Sequence, residues 1–502
     1  MEATIQLSPR HRNALTVFVM AAMLMQVIDT TIANVALPHM QAALGASPET
    51  VSWVLTSYIV AAAITLPLTG WLESRIGRHN LLFIAIGGFT VASMLCGMAL
   101  SLPAMVGARI VQGIFGAFLG PLSQSVMLDI YSLKERPKAM TISSMVLMVG
   151  PVVGPILGGY LTELYNWRWI FFVNLPIGIA SLVGAFLLMP RERTTRRPFD
   201  AFGFAVLAIG LASLQLLLDR GTQEDWFEST EIVIETMLAV GMLWIFAIHT
   251  ITSPQPLIPR RVFTDRNLLI ANAFMVIVVG VIYSSAALLP PMLQHLFGHD
   301  SVQVGLLMTP RAFTMMFAMV LSPMLMRHID SRLMVVSGML LVSISLWMMS
   351  RFSPEMDDWP VIASGLIQGL GVGMVLVPMQ LLAYSTLPAE LRTSGASYFN
   401  LTRSLGGSVA IAVFMAITAR NLQVSHSDLA AHIDSIRFAF LQSGFSEQAG
   451  MNSQLALSML DLEVNRQAMM IAYIDDFWLL GVLCFLLMPL GILVRLKRAT
   501  RG

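Results

Sequence analysis

Charge is scarce in this 502-residue chain: Asp, Glu, Lys and Arg make up 12% of it, about half the share usual in soluble domains, while 56% of the side chains are apolar. That balance excludes an ordinary soluble globule and reads as an integral membrane protein. Lysine is rarer still. Lys134, Lys138 and Lys497 follow Leu, Pro and Leu, so no Gly-Lys-Ser/Thr phosphate loop exists and an ATP-driven pump is excluded. None of the nine histidines begins a His-Glu-xx-His motif, which speaks against an intramembrane metalloenzyme, and nothing else in the chain asks for a metal or cofactor. The two cysteines, Cys96 and Cys484, sit in apolar runs, where neither a disulfide framework nor a metal cluster can be read from them. A net charge of +1 gives no global field for nucleic acid.

What is there is hydrocarbon-length helix. A helix needs about 20 apolar residues to span ~30 Å of bilayer core, and fourteen such windows occur, the first near 14–36 and the last near 477–496. Arg10, His11 and Arg12 precede the first window like the start of a signal peptide. Its length and the lack of a cleavage site read as a retained helix. With the N-terminus cytoplasmic, twenty-one of the thirty Lys and Arg fall on the cytoplasmic side and six on the other. That bias predicts both termini inside and an even number of spans.

An internal echo sets the organisation. "IVQGIFGAFLGP" from Ile110 and "LIQGLGVGMVLVP" from Leu366 share Gln-Gly at 112 and 368. Setting aside two central helices puts each in the fourth helix of a six-helix half. The expected division is 1–190 as an N-terminal six-helix bundle, 191–252 as two inserted helices with a linker, and 253–502 as a C-terminal bundle with an outer loop at 420–476. An even offset gives both halves the same membrane orientation, as in parallel-repeat transporters with a central cavity.

Inside the first window, Gln26, Asp29, Thr30 and Asn34 fall at i, i+3, i+4 and i+8 and form one polar stripe. A charge facing lipid costs at least ~3 kcal/mol, so this stripe must face the bundle interior or a wet cavity. Arg109, in the fourth window, lies at a similar depth, and the two charges can meet. Two readings fit: a fixed ion pair that sets helix register, or a carboxylate that loads and releases a proton as cargo alters its surroundings. Asp29 reads as the only acid well inside any window, which makes it the candidate proton carrier. Tyr58, Gln112 and Arg311 join Gln26, Thr30 and Asn34 as candidate cavity residues. Arg311 could bind an anionic cargo or merely satisfy carbonyls; Arg403, nearer the cytoplasmic face, leans toward carbonyls and head groups.

"GPVVGPILGG" spaces Gly150, Gly154 and Gly158 four apart, leaving a bare face for a neighbouring backbone, with Gly159 beside it; Pro151 and Pro155 each remove an internal hydrogen bond. This stretch resembles the antiporter motif of the major facilitator superfamily. "DTTIANVALP" from Asp29 resembles the helix 1 signature of that family's fourteen-helix drug:proton antiporter branch, and "RIVQG" from Arg109 its helix 4 motif. "GWLESRIGRHN" from Gly70 resembles its cytoplasmic loop. The resemblance runs from residue 14 to about 420 and is strongest to the EmrB-like permeases of Gram-negative tripartite pumps.

The resemblance implies proton-driven drug efflux across the inner membrane, with Asp29 titrating, Arg109 steering the proton, and the Gly150 to Gly159 stretch shaping the interface between bundles. It implies a cytoplasmic gate loop of Gly70, Glu73, Arg75, Gly77 and Arg78. Ser74 stands where the family has an aspartate, which puts the loop's charge lock in doubt unless Asp129 receives Arg75. Expected cargoes are lipophilic drugs or weak acids exchanged for protons, in contact with membrane lipids. A periplasmic membrane-fusion adaptor and an outer-membrane channel are the implied partners, with the loop at 420–476 either docking the adaptor or resting on the membrane surface. The rival reading is a transporter of the same fold exporting one specific metabolite, sugar or siderophore.

Overall fold

The computed structural model describes residues 8–190, 198–221, 224, 226–442 and 453–493. Among them helix is the only regular structure, as hydrocarbon demands: with no water to bond, each segment must satisfy its own N–H and C=O groups. The long helices are α1 Pro9–Leu44, α2 Trp53–Ile76, α3 Arg78–Gly97, α4 Leu102–Ile130, α5 Arg136–Leu164, α6 Trp169–Leu188, α7 Ala201–Arg220 and α8 Thr230–Thr252. There follow α9 Arg266–Phe297, α10 Ser301–Leu325, α11 Ser331–Met349, α12 Trp359–Ser385, α13 Arg392–Gln442 and α14 Ser453–Leu487. Thirteen of these are long and apolar enough to cross a membrane. With α5, 29 residues lying along α1, they make the fourteen that the hydropathy windows predict.

Polar caps end the helices where the chain leaves the apolar layer. Ser8, Ser101, Asp200, Asp265, Asp300 and Asp330 each accept a first-turn backbone N–H, worth about 1 kcal/mol apiece. Gly45 closes α1 in the left-handed region at φ 62°.

Packing repeats with an offset of eight helices. In one bundle α1 lies against α4, α5 and α6, while α4 also packs on α2 and α3; in the other α9 lies against α12, α13 and α14, and α12 on α10 and α11. The bundles meet through α5 on α10 and α12, and reciprocally through α13 on α2 and α4. A pseudo-two-fold relation follows. α7 and α8 form a hairpin whose α7 packs on α2 and α13. Only 22% of the apolar window of α8 is buried, so the hairpin is peripheral. Large exposed side chains such as Phe313, Trp244 and Leu187 face outward, where lipid tails are their solvent.

The outer segment expected at 420–476 is largely helical among the described residues. α13 continues without a break to Gln442, 51 residues or roughly 76 Å, and α14 starts at Ser453. These helices outrun a ~30 Å hydrocarbon core and stand beyond it as a paired extension, with His426 on α13 3.5 Å from Asp461 on α14. The link at 443–452 and the linker at 191–197 lie outside the described residues.

Candidate functional site

Asp29 and Arg109 meet. Their helices cross within the N-terminal bundle, and the Arg109 Nη1 donates to Asp29 Oδ2 at 2.7 Å with both side chains sealed from solvent. Two amides complete the shell of the carboxylate: Gln112 Nε2 donates at 2.8 Å and Asn174 Nδ2 at 2.9 Å. The guanidinium is held as firmly. Its Nε donates to the Val54 carbonyl at 3.0 Å, its Nη1 also to Gln112 Oε1 at 2.7 Å, and it lies 4.3 Å over the Tyr58 ring. Cys96 Sγ donates to Gln112 Oε1, and Ser93 supports Asn174. A buried charge pair costs several kcal/mol of desolvation per ion unless its remaining hydrogen-bond positions are filled, and here α1, α2, α3, α4 and α6 all contribute to filling them.

Asn174 is the member that the sequence does not reveal. It stands in "WRWIFFVNLPIG", among apolar neighbours, and its signal is a lone amide near a helix start. Asp29 is also not the only acid within a span. Asp476, just outside the predicted window at 477–496, is fully buried in α14 and accepts from Thr418. The expectation missed it because α14 begins at Ser453, well before the apolar run.

The glycines of α5 pack on the helix that carries Asp29. A Cβ at Gly150 would overlap Val27, one at Gly154 would overlap Thr31, and one at Gly158 would come 3.0 Å from Ile32 Cγ1. Thr31 Oγ1 donates to the Gly150 carbonyl at 3.0 Å, stitching α1 to α5. The bare face therefore closes a contact inside the N-terminal bundle. The same helix also packs against α10 and α12 of the other bundle. Gly159 meets nothing within 4 Å. The rings of Pro151 and Pro155 lie outside the described side chains.

The gate loop forms a charge lock, by a different arginine than expected. Arg78 donates to Glu73 at 2.6 Å and to Asp129, while Arg75 sits over the Trp71 ring at 5.4 Å. Glu73, one place before Ser74, is thus the loop's own acceptor for Arg78. Asp129 also accepts from Arg392 of the other bundle, a partner that sequence reading did not identify. Gly77 adopts φ 84°, and a Cβ at Gly70 would overlap Ser394 across the interface. Further ties join the bundles at this arginine-bearing end: Ser144 to Gln380 at 3.0 Å, Thr393 to Ser125 at 2.8 Å, and Tyr384 and Asn400 both to Gln124. Outside the membrane layer, the Ser132 hydroxyl and Arg12 hold Glu135 below the usual carboxylate range.

The polar stripe is split by depth. Asp29 is buried, Gln26 and Thr30 are half-buried, and Asn34 is exposed. Thr30 bonds its own helix at Val27, and Gln26 reaches the Tyr58 hydroxyl at 3.5 Å. Gln26 also lines a pocket of about 80 Å³ between the bundles, together with Gly116, Gly120, Asn400 and Arg403. Arg403 donates to Asn400 at 3.1 Å there. Arg311 is buried in α10 away from the Asp29 cluster.

Two like six-helix bundles about a pseudo-two-fold axis, with polar groups held between hydrocarbon-spanning helices, define a polytopic membrane transporter fold. The chain belongs to the Major Facilitator Superfamily, whose sequence pattern matches residues 19–411. It is 34% identical over 497 residues to multidrug export protein EmrB of Escherichia coli K12, covering 95% of this chain and 96% of that one. It is 35% identical to EmrB of Haemophilus influenzae, covering 93% and 92%. Fatty acid resistance protein FarB of Neisseria gonorrhoeae is 33% identical, covering 93% of each chain. The solved structure of the human organic anion transporter MFSD10 shares the fold, with a TM-score of 0.60 at 14% identity over 96% of this chain and all of that one.

Proposed function

We propose that this protein exports structurally varied drugs and weak acids across the inner membrane in exchange for protons. Full-length similarity to proteins named for multidrug export supports the cargo class. The observation that carries the coupling is the sealed Asp29 cluster. Its carboxylate has three N–H donors, so adding a proton sets an O–H against an N–H and loosens Arg109. Arg109 in turn touches α2 through Val54 and Tyr58. A proton on Asp29 is thereby felt at a helix that packs against the other bundle.

The arginine-bearing end is the cytoplasmic one, with both termini there, in keeping with the Lys and Arg bias. This conformer is outward-facing, its bundles tied together at the inner end through Asp129, Gln124 and Ser144. Residues 1–190 and 253–502 act as the two rocking units and 191–252 as a peripheral insertion. The paired extension of α13 and α14 docks a periplasmic adaptor that leads to an outer-membrane channel. Uptake of a fluorescent lipophilic cation into inverted vesicles tests the reading: it should collapse with a protonophore. Trimming residues 425–470 should spare vesicle uptake and remove resistance in intact cells. Protonophore-insensitive uptake would overturn the coupling, and equal loss in both assays would overturn the adaptor role.

A further inference from the structure

The C-terminal bundle carries a copy of the Asp29 cluster from which the carboxylate has been deleted. Ser285, Gly365 and Gln368 each lie 256 residues after Asp29, Arg109 and Gln112. The copy is spatial as well. Gln368 on α12 donates to Ser285 Oγ on α9 at 3.3 Å, as Gln112 on α4 donates to Asp29 on α1. A Cβ at Gly113 would strike the Tyr58 carbonyl, and one at Gly369 would overlap the Arg311 carbonyl, so α12 approaches α10 as α4 approaches α2.

One difference decides the chemistry. The guanidinium comes from α10, not from α12: Arg311 fills the space in front of Gly365, where a built Cβ would sit 3.4 Å from the Arg311 Cβ. Arg311 is 8% exposed and donates through Nη2 to the Ile282 carbonyl at 3.3 Å, while its Nη1 finds no acceptor. The hydroxyl of Ser284, next to Ser285 in α9 and two residues beyond that Ile282 carbonyl, is likewise without a partner among the described residues. In the N-terminal cluster the arginine is neutralised by Asp29. Here the same framework presents a permanently charged fork and a serine where the acid stood. A buried guanidinium is stabilised by a carboxylate accepting its parallel N–H bonds.

We propose that Arg311, with the hydroxyls of Ser284 and Ser285, the latter positioned by Gln368, forms an anion subsite that holds the carboxylate of an amphiphilic weak acid during export. The inference rests on the export reading for its cargo, but its test does not require transport. Octanoate binding is measured by thermal stabilisation and tryptophan fluorescence on the full-length protein in nanodiscs, with octyltrimethylammonium as the tail-matched cation. Wild type should bind octanoate saturably. R311Q should weaken octanoate at least 10-fold relative to octyltrimethylammonium, and R311K should fall between, because an ammonium cannot offer the fork. Equal loss of both ligands in R311Q, or no change in their ratio, would overturn the subsite. Chloride replacing gluconate distinguishes the source of the anion: stabilisation by millimolar chloride through Arg311 without octanoate binding would assign a halide and overturn the cargo role. Absence of both responses would leave water as the occupant and overturn the proposal. Q368L gives a second test with the charge intact, expected to weaken octanoate about 3- to 10-fold; full affinity in both variants would sink it.

Discussion

A carboxylate inside hydrocarbon survives only by being over-supplied with donors, and Asp29 has three on two oxygens. Removing its charge alone strands Arg109, and breaking a buried pair in this way costs about 3–5 kcal/mol. Asp29→Asn should therefore lower thermal stability and abolish transport driven by a pH gradient. The D29N/R109Q double variant separates the two effects. It should recover most of the stability, because neither charge is left alone, and remain uncoupled in proteoliposomes. Gradient-driven transport by the double variant would remove the pair from the mechanism. Asp29, Arg109 and Gln112 were legible because polar residues in apolar windows stand out and a helical stripe fixes their face. Asn174 and Arg392 were not. Asn174 is a lone amide with no polar stripe to fix its face, and Arg392 falls between two apolar windows, where an arginine is ordinary; only tertiary contact gives each a role.

At the scale of helices, α1 and α5 show how backbone proximity is encoded. Gly150, Gly154 and Gly158 let α5 close on Val27, Thr31 and Ile32, and Gly159 is turned to open space. The expected consequence is asymmetric. Gly154→Ala must push Thr31 aside and should cost about 1–3 kcal/mol, with transport falling alongside. Gly159→Ala should stay within about 0.5 kcal/mol. Thermal unfolding of the two variants in nanodiscs checks this, and equal losses would show that helix propensity, not contact, governs the motif. The spacing of the glycines was readable in the sequence, but their partner was not. A bare face says that something comes close without saying whether the neighbour belongs to the same bundle or the opposite one. The helical continuity of the outer ends of α13 and α14 was hidden for a related reason. Hydropathy reports where a helix leaves lipid, not where it stops being a helix, so a polar continuation looks like a loop.

For the whole molecule, the balance between conformers is set where the bundles touch. Asp129 receives Arg78 from its own bundle and Arg392 from the other, with about 15% of its side chain exposed. Asp129→Asn weakens both contacts at once, and a shift of about 1–2 kcal/mol in the equilibrium is a 5- to 30-fold change in population. The variant also leaves two arginines facing each other. Spin labels at positions 75 and 329, at the end of α2 and just after α10 in opposite bundles, should gain a longer-distance population at the arginine-bearing end. An unchanged distance distribution would show that Gln124, Ser144 and Gln380 hold the bundles without the charge lock.

The sequence by itself determined that this chain is a polytopic membrane protein of many apolar helices, that its halves repeat, and that one acid and one arginine are sunk in the first half. Each of these follows from local chemistry, the cost of polar groups in hydrocarbon and the period of a helix. Only the tertiary structure decided which groups surround that acid, which arginine locks the gate loop, and that Arg311 stands where the second half has lost its Asp–Arg pair. Those outcomes depend on which faces of distant helices come together, and faces more than two hundred residues apart carry no mark of one another until they pack.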